Sequence, residues 1–229
     1  MVLRYFVRHD IIQNMKQGRL DALADGIFAI VMTILVFEIR IPEFAGPTNN
    51  QELLRAIINL YPLFLSYLLS FSLLFTYWRS HHYIASVLAK NIDIPLSNLS
   101  ALFFFFVGLV PFSSHLLGSY HYTQTAIALF AANIVLIGLS LFIMRRYVIR
   151  AHDIKNSPYT NIENAHANVR ILLPVIVSIL AVGVSFFHKN IAMLFFTIAI
   201  IFNLSRRSTR LIFWLFNPFI AFKKDNQVD

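Results

Sequence analysis

Residues 171–187 read ILLPVIVSILAVGVSFF, a run without a single charged side chain. A soluble helix must turn a polar face to water, and this run has no such face to turn. It needs an apolar solvent, and its length suits the hydrocarbon core of a bilayer. The rest of the chain agrees. Of its 229 residues 58% are apolar and 13% charged, whereas a soluble domain carries about 25% charged residues. The chain is expected to be an all-α, polytopic integral membrane protein.

Reading apolar runs long enough to cross a bilayer gives six spans, over 20–41, 53–77, 96–117, 125–144, 171–187 and 191–204. They form one transmembrane domain, followed by a basic cytoplasmic or interfacial tail over 205–229. Arg206, Arg207 and Arg210 interrupt the last run before the aromatic segment 211–216 resumes. An even number of spans puts both termini on one side, and basic residues choose the side. Sixteen of the 19 Lys and Arg residues fall in the N-terminal segment, the second and fourth connections and the C-terminal tail. Only Arg40, Arg55 and Lys189 fall on the other face. The positive-inside rule then places both termini in the cytoplasm. The formal net charge of +8 is therefore a topology signal, because the basic residues lie between apolar runs and not along one amphipathic face. No nucleic-acid partner is expected. Residues 1–18 are mixed and basic, unlike a cleavable signal peptide. With no cysteine, thiolate chemistry and Cys-ligated metals are excluded.

The first span differs from the others in carrying Arg19, Asp21, Asp25, Thr33 and Glu38. An ionised group in hydrocarbon costs about 2.5–3.5 kcal/mol on insertion scales, so such a helix turns toward protein or water. Between Asp25 and Glu38 the stretch 26–37 is uncharged. On a helical period Ile30, Thr33, Ile34 and Phe37 share one face. Two readings follow: an internal packing helix whose end charges snorkel, or a pore-lining helix with acidic mouths and a narrow apolar waist. The second span ends in Trp78, Arg79, His81 and His82. Adjacent histidines project about 100° apart and chelate a metal poorly, so no metal site is expected. A hydrogen bond from one of them to the first helix near Asp25 is expected instead. Pro62, Pro111 and Pro174 are expected to bend spans two, three and five as features of packing.

Phosphate-binding glycine loops, nucleophile elbows and the TVGYG potassium filter are absent from the sequence. No enzyme activity and no cofactor are expected. The segment from Arg19 through Asp25 and Ile30 to Thr33, with its apolar continuation to Pro42, resembles the first-helix signature of the transmembrane protein 175 family. That family comprises the endolysosomal potassium channels and their bacterial and archaeal relatives. Trp78 with His81 and His82 resembles the end of its second helix, and 98–112 its third. One departure is plain: Leu23-Ala24-Asp25 stands where the family has Phe-Ser-Asp.

The resemblance implies four six-span subunits around an axis, with first helices lining the pore. Ile30 would form a hydrophobic ring, Thr33 a hydroxyl ring one turn outward, and Phe37 a further apolar layer, with Ile34 beside them. Arg19, Asp25, Trp78, His81 and Asn98 would form a polar network among the first three helices. The expected function is a potassium-permeable cation leak channel with a hydrophobic constriction in place of a carbonyl filter. Its partners would be other copies of the chain, the lipid bilayer and permeant monovalent cations, in the plasma membrane of a prokaryote. The rival reading is a secondary transporter or proton-coupled carrier. A carrier needs an ionisable group near mid-membrane and often broken-helix repeats, and neither is evident here.

Overall fold

The structure, a computed structural model, describes residues 17–44, 46–151, 161–188, 191–192 and 194–197. They fold as a bundle of helices. Helix α1 (Gln17–Ile34) tightens into a 3-10 turn over Leu35–Glu38. The short helix α2 (Asn50–Asn59) follows, then α3 (Tyr61–His82), which widens into a π-helical turn over Tyr83–Leu88. Next come α4 (Ile94–Gly108), α5 (Val110–Ser119), α6 (Gln124–Arg150) and α7 (Asn161–Ser185). Among the described residues four segments are long and apolar enough to cross a membrane: Gln17–Glu38, Tyr61–Leu88, Ile94–Ser119 and Gln124–Arg150. A shorter apolar stretch covers Ile171–Ser185. Of the sixth expected span only positions 191–192 and 194–197 are described, all helical, and Phe196 packs edge-on against Phe130 of α6 at 5.3 Å. The tail 205–229 and the N-terminal Arg4, Arg8 and Lys16 lie outside the described residues.

The second apolar run is divided differently from the sequence reading. Its first part is the separate helix α2, started by a reciprocal cap in which Asn49 and Glu52 each bond the other's backbone N–H. The long helix begins only at Tyr61, which puts Pro62 in the first turn, where a missing N–H costs nothing. Pro62 therefore starts a helix and does not bend one. At the other end the helix continues past Tyr77 to Leu88, so Trp78, Arg79, His81 and His82 lie within it. In the third run the helix breaks at Leu109, whose N–H reaches back three residues to Phe106. Pro111, lacking an N–H and crowding the carbonyl four residues before it, accounts for that break. Pro174 sits inside α7, where the Ser178 hydroxyl donates to the Pro174 carbonyl at 2.6 Å.

Helix α1 packs on α3 and α4, and α6 packs on α4, α5 and α7. The interior is built from Phe28, Leu73, Tyr77, Phe103, Ile127 and Leu141 among others, all buried. Lipid gives helices no hydrophobic reason to associate, so close backbone approach and polar contacts must hold them. Both are present. A Cβ built on Gly118 would lie 2.9 Å from the Leu63 Cα and 2.6 Å from the Ser66 Oγ, so α5 and α3 touch backbone to backbone there. Beside it the Ser114 hydroxyl donates to the Ser66 carbonyl at 3.2 Å, and Asn133 of α6 donates to the Ser113 hydroxyl at 3.0 Å. Gly118→Ala is expected to lower the thermal unfolding midpoint in detergent, at a cost of about 1–3 kcal/mol for overpacking. Gly183→Ala, at a position with nothing within 4 Å, should leave the midpoint unchanged or raise it.

Candidate functional site

Helix α1 has two apolar faces, and its own chain covers one of them. Leu20, Ala24, Phe28, Val31 and Leu35 recur every three or four residues and are buried. At 3.6 residues per turn Ile30, Thr33 and Phe37 lie roughly 200°, 140° and 180° around the helix from Phe28. They are accordingly exposed, Ile30 at 59% and Phe37 at 65%. Ile34 lies at the edge of that face at 39%. Gly26 continues the face toward Asp25, with nothing within 4 Å of a built Cβ. Thr33 donates to the carbonyls of Ala29 and Ile30 at 2.9 and 2.8 Å, so its hydroxyl hydrogen is used within the helix. Its oxygen lone pairs remain available outward.

Polar contacts hold this helix on either side of its uncharged stretch 26–37. On the N-terminal side the Trp78 indole N–H donates to Asp25 at 2.7 Å. One turn earlier Asp21 accepts from the Ser86 hydroxyl at 2.7 and 2.8 Å, and His82 lies 4.0 Å away. The His82 ring stacks over Trp78, with centroids 6.2 Å apart. The side chain that reaches Asp25 is therefore the tryptophan, and the histidine beside it serves Asp21. His81 is wholly buried, stacked on Phe103 at 5.2 Å with its Nε2 3.5 Å from the Ser100 hydroxyl. The two histidines thus face separate surroundings, as adjacent helical positions must. Arg19 and Asn98 are exposed and make no side-chain hydrogen bond or ion pair among the described residues. Of the five polar positions expected to associate, Asp25 and Trp78 are joined directly, while His81 turns to α4.

At the far end Glu38 lies 3.0 Å from His115 of α5, within ion-pair distance but without the alignment of a hydrogen bond. His115 is in turn 3.4 Å from the Ser119 hydroxyl. Glu38 is thus in contact with a neighbouring helix of its own chain. Sequence reading passed over His115, although a titratable residue inside an apolar run is itself a signal. It also missed Ser86, because the second helix was expected to end before it. Two further ties have no local signature: Tyr147 donates to Asp93, which also caps α4, and Arg145 donates to Asn168. The polar contacts lie at Asp21 and Asp25 in the first half of α1 and at Glu38 in the 3-10 turn after it, and between them Phe28 packs on Phe103 at 6.0 Å.

A potassium channel of Chryseobacterium sp. (strain P1-3) is 30% identical over 183 residues, 80% of this chain and 89% of that one. A family model described as the endosomal/lysosomal potassium channel TMEM175 matches residues 19–111. The chain belongs to the TMEM175 family. That family is one of potassium channels and not of enzymes. A potassium channel of Chamaesiphon minutus is 33% identical over 108 residues, about half of each chain (47% and 52%). The fold agrees with the crystal structure of a lysosomal potassium-selective channel TMEM175 homolog from Chamaesiphon minutus. That match has a TM-score of 0.71 at 25% identity and covers 84% of this chain and 97% of the other.

The region matched by the TMEM175 model runs from Arg19 to Pro111, so it takes in α1, the Asp25–Trp78 bond, the His81–Phe103 stack and the start of α5. At the departure from the family pattern, Leu23 is exposed and Ala24 is buried. Ala24 therefore occupies the packed face, where a serine hydroxyl would face α3 and α4. A hydrogen bond to a charged acceptor contributes about 1.5–3 kcal/mol. In a double-mutant cycle of Asp25→Ala and Trp78→Phe, unfolding should show a coupling of about 1–2 kcal/mol. Strictly additive effects would mean that the bond does not hold α1.

Proposed function

We propose that this chain is one subunit of a potassium-permeable cation leak channel. In this reading six spans make a subunit, four subunits surround an axis, and the α1 helices line the pore. Membership of a potassium channel family supports the activity. Bacterial relatives support a prokaryotic plasma membrane, and the distribution of Lys and Arg supports cytoplasmic termini. The observation that carries the pore reading is the uncovered face of α1. Ile30, Thr33 and Phe37 lie opposite the packed face and are left exposed by their own chain.

Four such faces around an axis would make a pore of successive rings. Ile30 would form the narrow hydrophobic ring, Thr33 a ring of oxygens one turn outward, and Phe37 a wider apolar layer, with Ile34 on the flank. An isoleucine ring has no oxygens to replace an ion's hydration shell, so ions would pass it partly hydrated. Selectivity would then rest on size, on the cost of partial dehydration and on nearby oxygens, in place of a carbonyl filter. The committed Thr33 hydrogen matters here: a hydroxyl already donating to its own helix offers a cation only the negative side of its dipole. The pore would be gated by the width and wetting of the apolar ring, and conduction would be slow. Bound cofactors have no part in this mechanism; the permeant potassium ion is its substrate.

The test is potassium flux into liposomes holding the purified protein. Ile30→Asn should raise flux by roughly tenfold, since about 1.4 kcal/mol off a wetting barrier is a factor of ten. It should also weaken discrimination against sodium. Robust wild-type flux left unchanged by the substitution would move the pathway off α1. Unitary current steps would separate a channel from a carrier, whose flux saturates.

A further inference from the structure

At the Glu38 end of the bundle, an open cleft of about 600 Å³ lies between the chain leaving α1 and helix α2. Its lining combines two guanidinium groups, Arg40 and Arg55, with an apolar floor that includes Ile41, Phe44 and Leu60. Arg40 donates through Nε to the Phe37 carbonyl at 3.0 Å, which anchors the side chain and leaves both terminal nitrogens for another acceptor. Neither arginine makes an ion pair among the described residues. The one carboxylate in the lining, Glu52, is engaged by its own helix, where it accepts from the Asn49 N–H at 3.3 Å. The lining itself thus carries two guanidinium groups against one carboxylate. Only three Lys or Arg residues fall on this side of the membrane by the sequence reading, and two of them line it.

The setting of α2 fixes the depth. Leu54 and Ile58 stand 58% and 60% exposed away from the cleft, while Arg55 is on the cleft side. A short helix with one exposed apolar face and one polar face lies in the headgroup layer of a bilayer. Its polar face would then hold the cleft where phosphates are. Arginine matches a phosphate in charge and geometry, and the apolar floor offers a surface for the first carbons of an acyl chain.

We propose that this cleft binds an anionic glycerophospholipid, with its phosphate between Arg40 and Arg55 and an acyl chain against Ile41, Phe44 and Leu60. The inference is separate from the pore and from the conducted ion. The experiment is lipid titration of the purified full-length protein in detergent, read by native mass spectrometry, with phosphatidylglycerol against phosphatidylcholine. Wild type should prefer phosphatidylglycerol by roughly thirtyfold, as about 1 kcal/mol for each of the two arginines near an anionic headgroup implies. The double variant Arg40→Gln with Arg55→Gln should lose that preference, whereas Lys90→Gln, outside the cleft, should keep it. Phe44→Ser should weaken long-chain phosphatidylglycerol severalfold and leave the dihexanoyl form unchanged, which reports the chain contact separately. An unaltered preference in the double variant would overturn the proposal. So would displacement of the lipid by an equal concentration of inorganic phosphate, the mark of a free-anion site. So too would disulfide cross-linking of the Arg55→Cys variant that joins two copies across the cleft. Because binding is read without ion flux, the outcome is independent of whether the chain conducts.

Discussion

A helix that is apolar all round has no hydrophobic reason to prefer one rotation in a membrane, because lipid is as apolar as leucine. Helix α1 meets that problem directly. Its two long faces, one carrying Phe28 and the other Ile30 and Phe37, are both largely apolar. What distinguishes them is shape and polar attachment. The Asp25–Trp78 and Asp21–Ser86 bonds at one end and the Glu38–His115 contact at the other allow a single rotation. Two attachments join α1 to the second long helix and the third to α5, so turning the helix by one residue, about 100°, would break them together. The exposed position of Ile30 is a consequence of those attachments.

The remainder of the bundle carries the anchors. Trp78 and Ser86 can both reach α1 only because the second long helix runs on to Leu88, its π-helical turn supplying Ser86. His115 is on α5, and α5 is seated against α3 by the contact at Gly118. The start of α4 is fixed in turn by Asp93, which caps its own helix and accepts from Tyr147 of α6. A change at Gly118 or Asp93 thus reaches the α1 face through its anchors, without touching Ile30.

The positions of the apolar runs could be read from the sequence because a bilayer demands uninterrupted apolar length. The spacing of Ile30, Thr33 and Phe37 could be read because a helix period is local. Helix ends could not. Trp78, Arg79, His81 and His82 have the composition of an interfacial end, and only packing against α1 and α4 shows why they continue as helix. Leu60 and Tyr61 mark the opposite case, where a single mainly apolar run is two helices because one residue caps the first and the next starts the second. The partners of Asp21, Asp25 and Glu38 are 53 to 77 residues away in sequence, and no spacing rule links such pairs. Asp25 with Trp78 came within reach through family resemblance; Glu38 with His115 and Asp21 with Ser86 needed the fold.

The placement of those attachments outside residues 26–37 follows from what lies between them. An ionised or strongly hydrogen-bonding group within 26–37 would bring water with it, since leaving such a group dry costs several kcal/mol. A face meant to stay apolar cannot be secured from the middle by polar contacts. It can be secured there by aromatic packing on the opposite side, and Phe28 against Phe103 supplies that without any hydrogen bond. Thr33, whose side chain is polar, satisfies its hydrogen within α1 and recruits no partner from the bundle. Polar ties on either side of 26–37, aromatic contact between them and a self-satisfied hydroxyl are thus three answers to one requirement. The helix must be held in one rotation while its outward face stays uncharged.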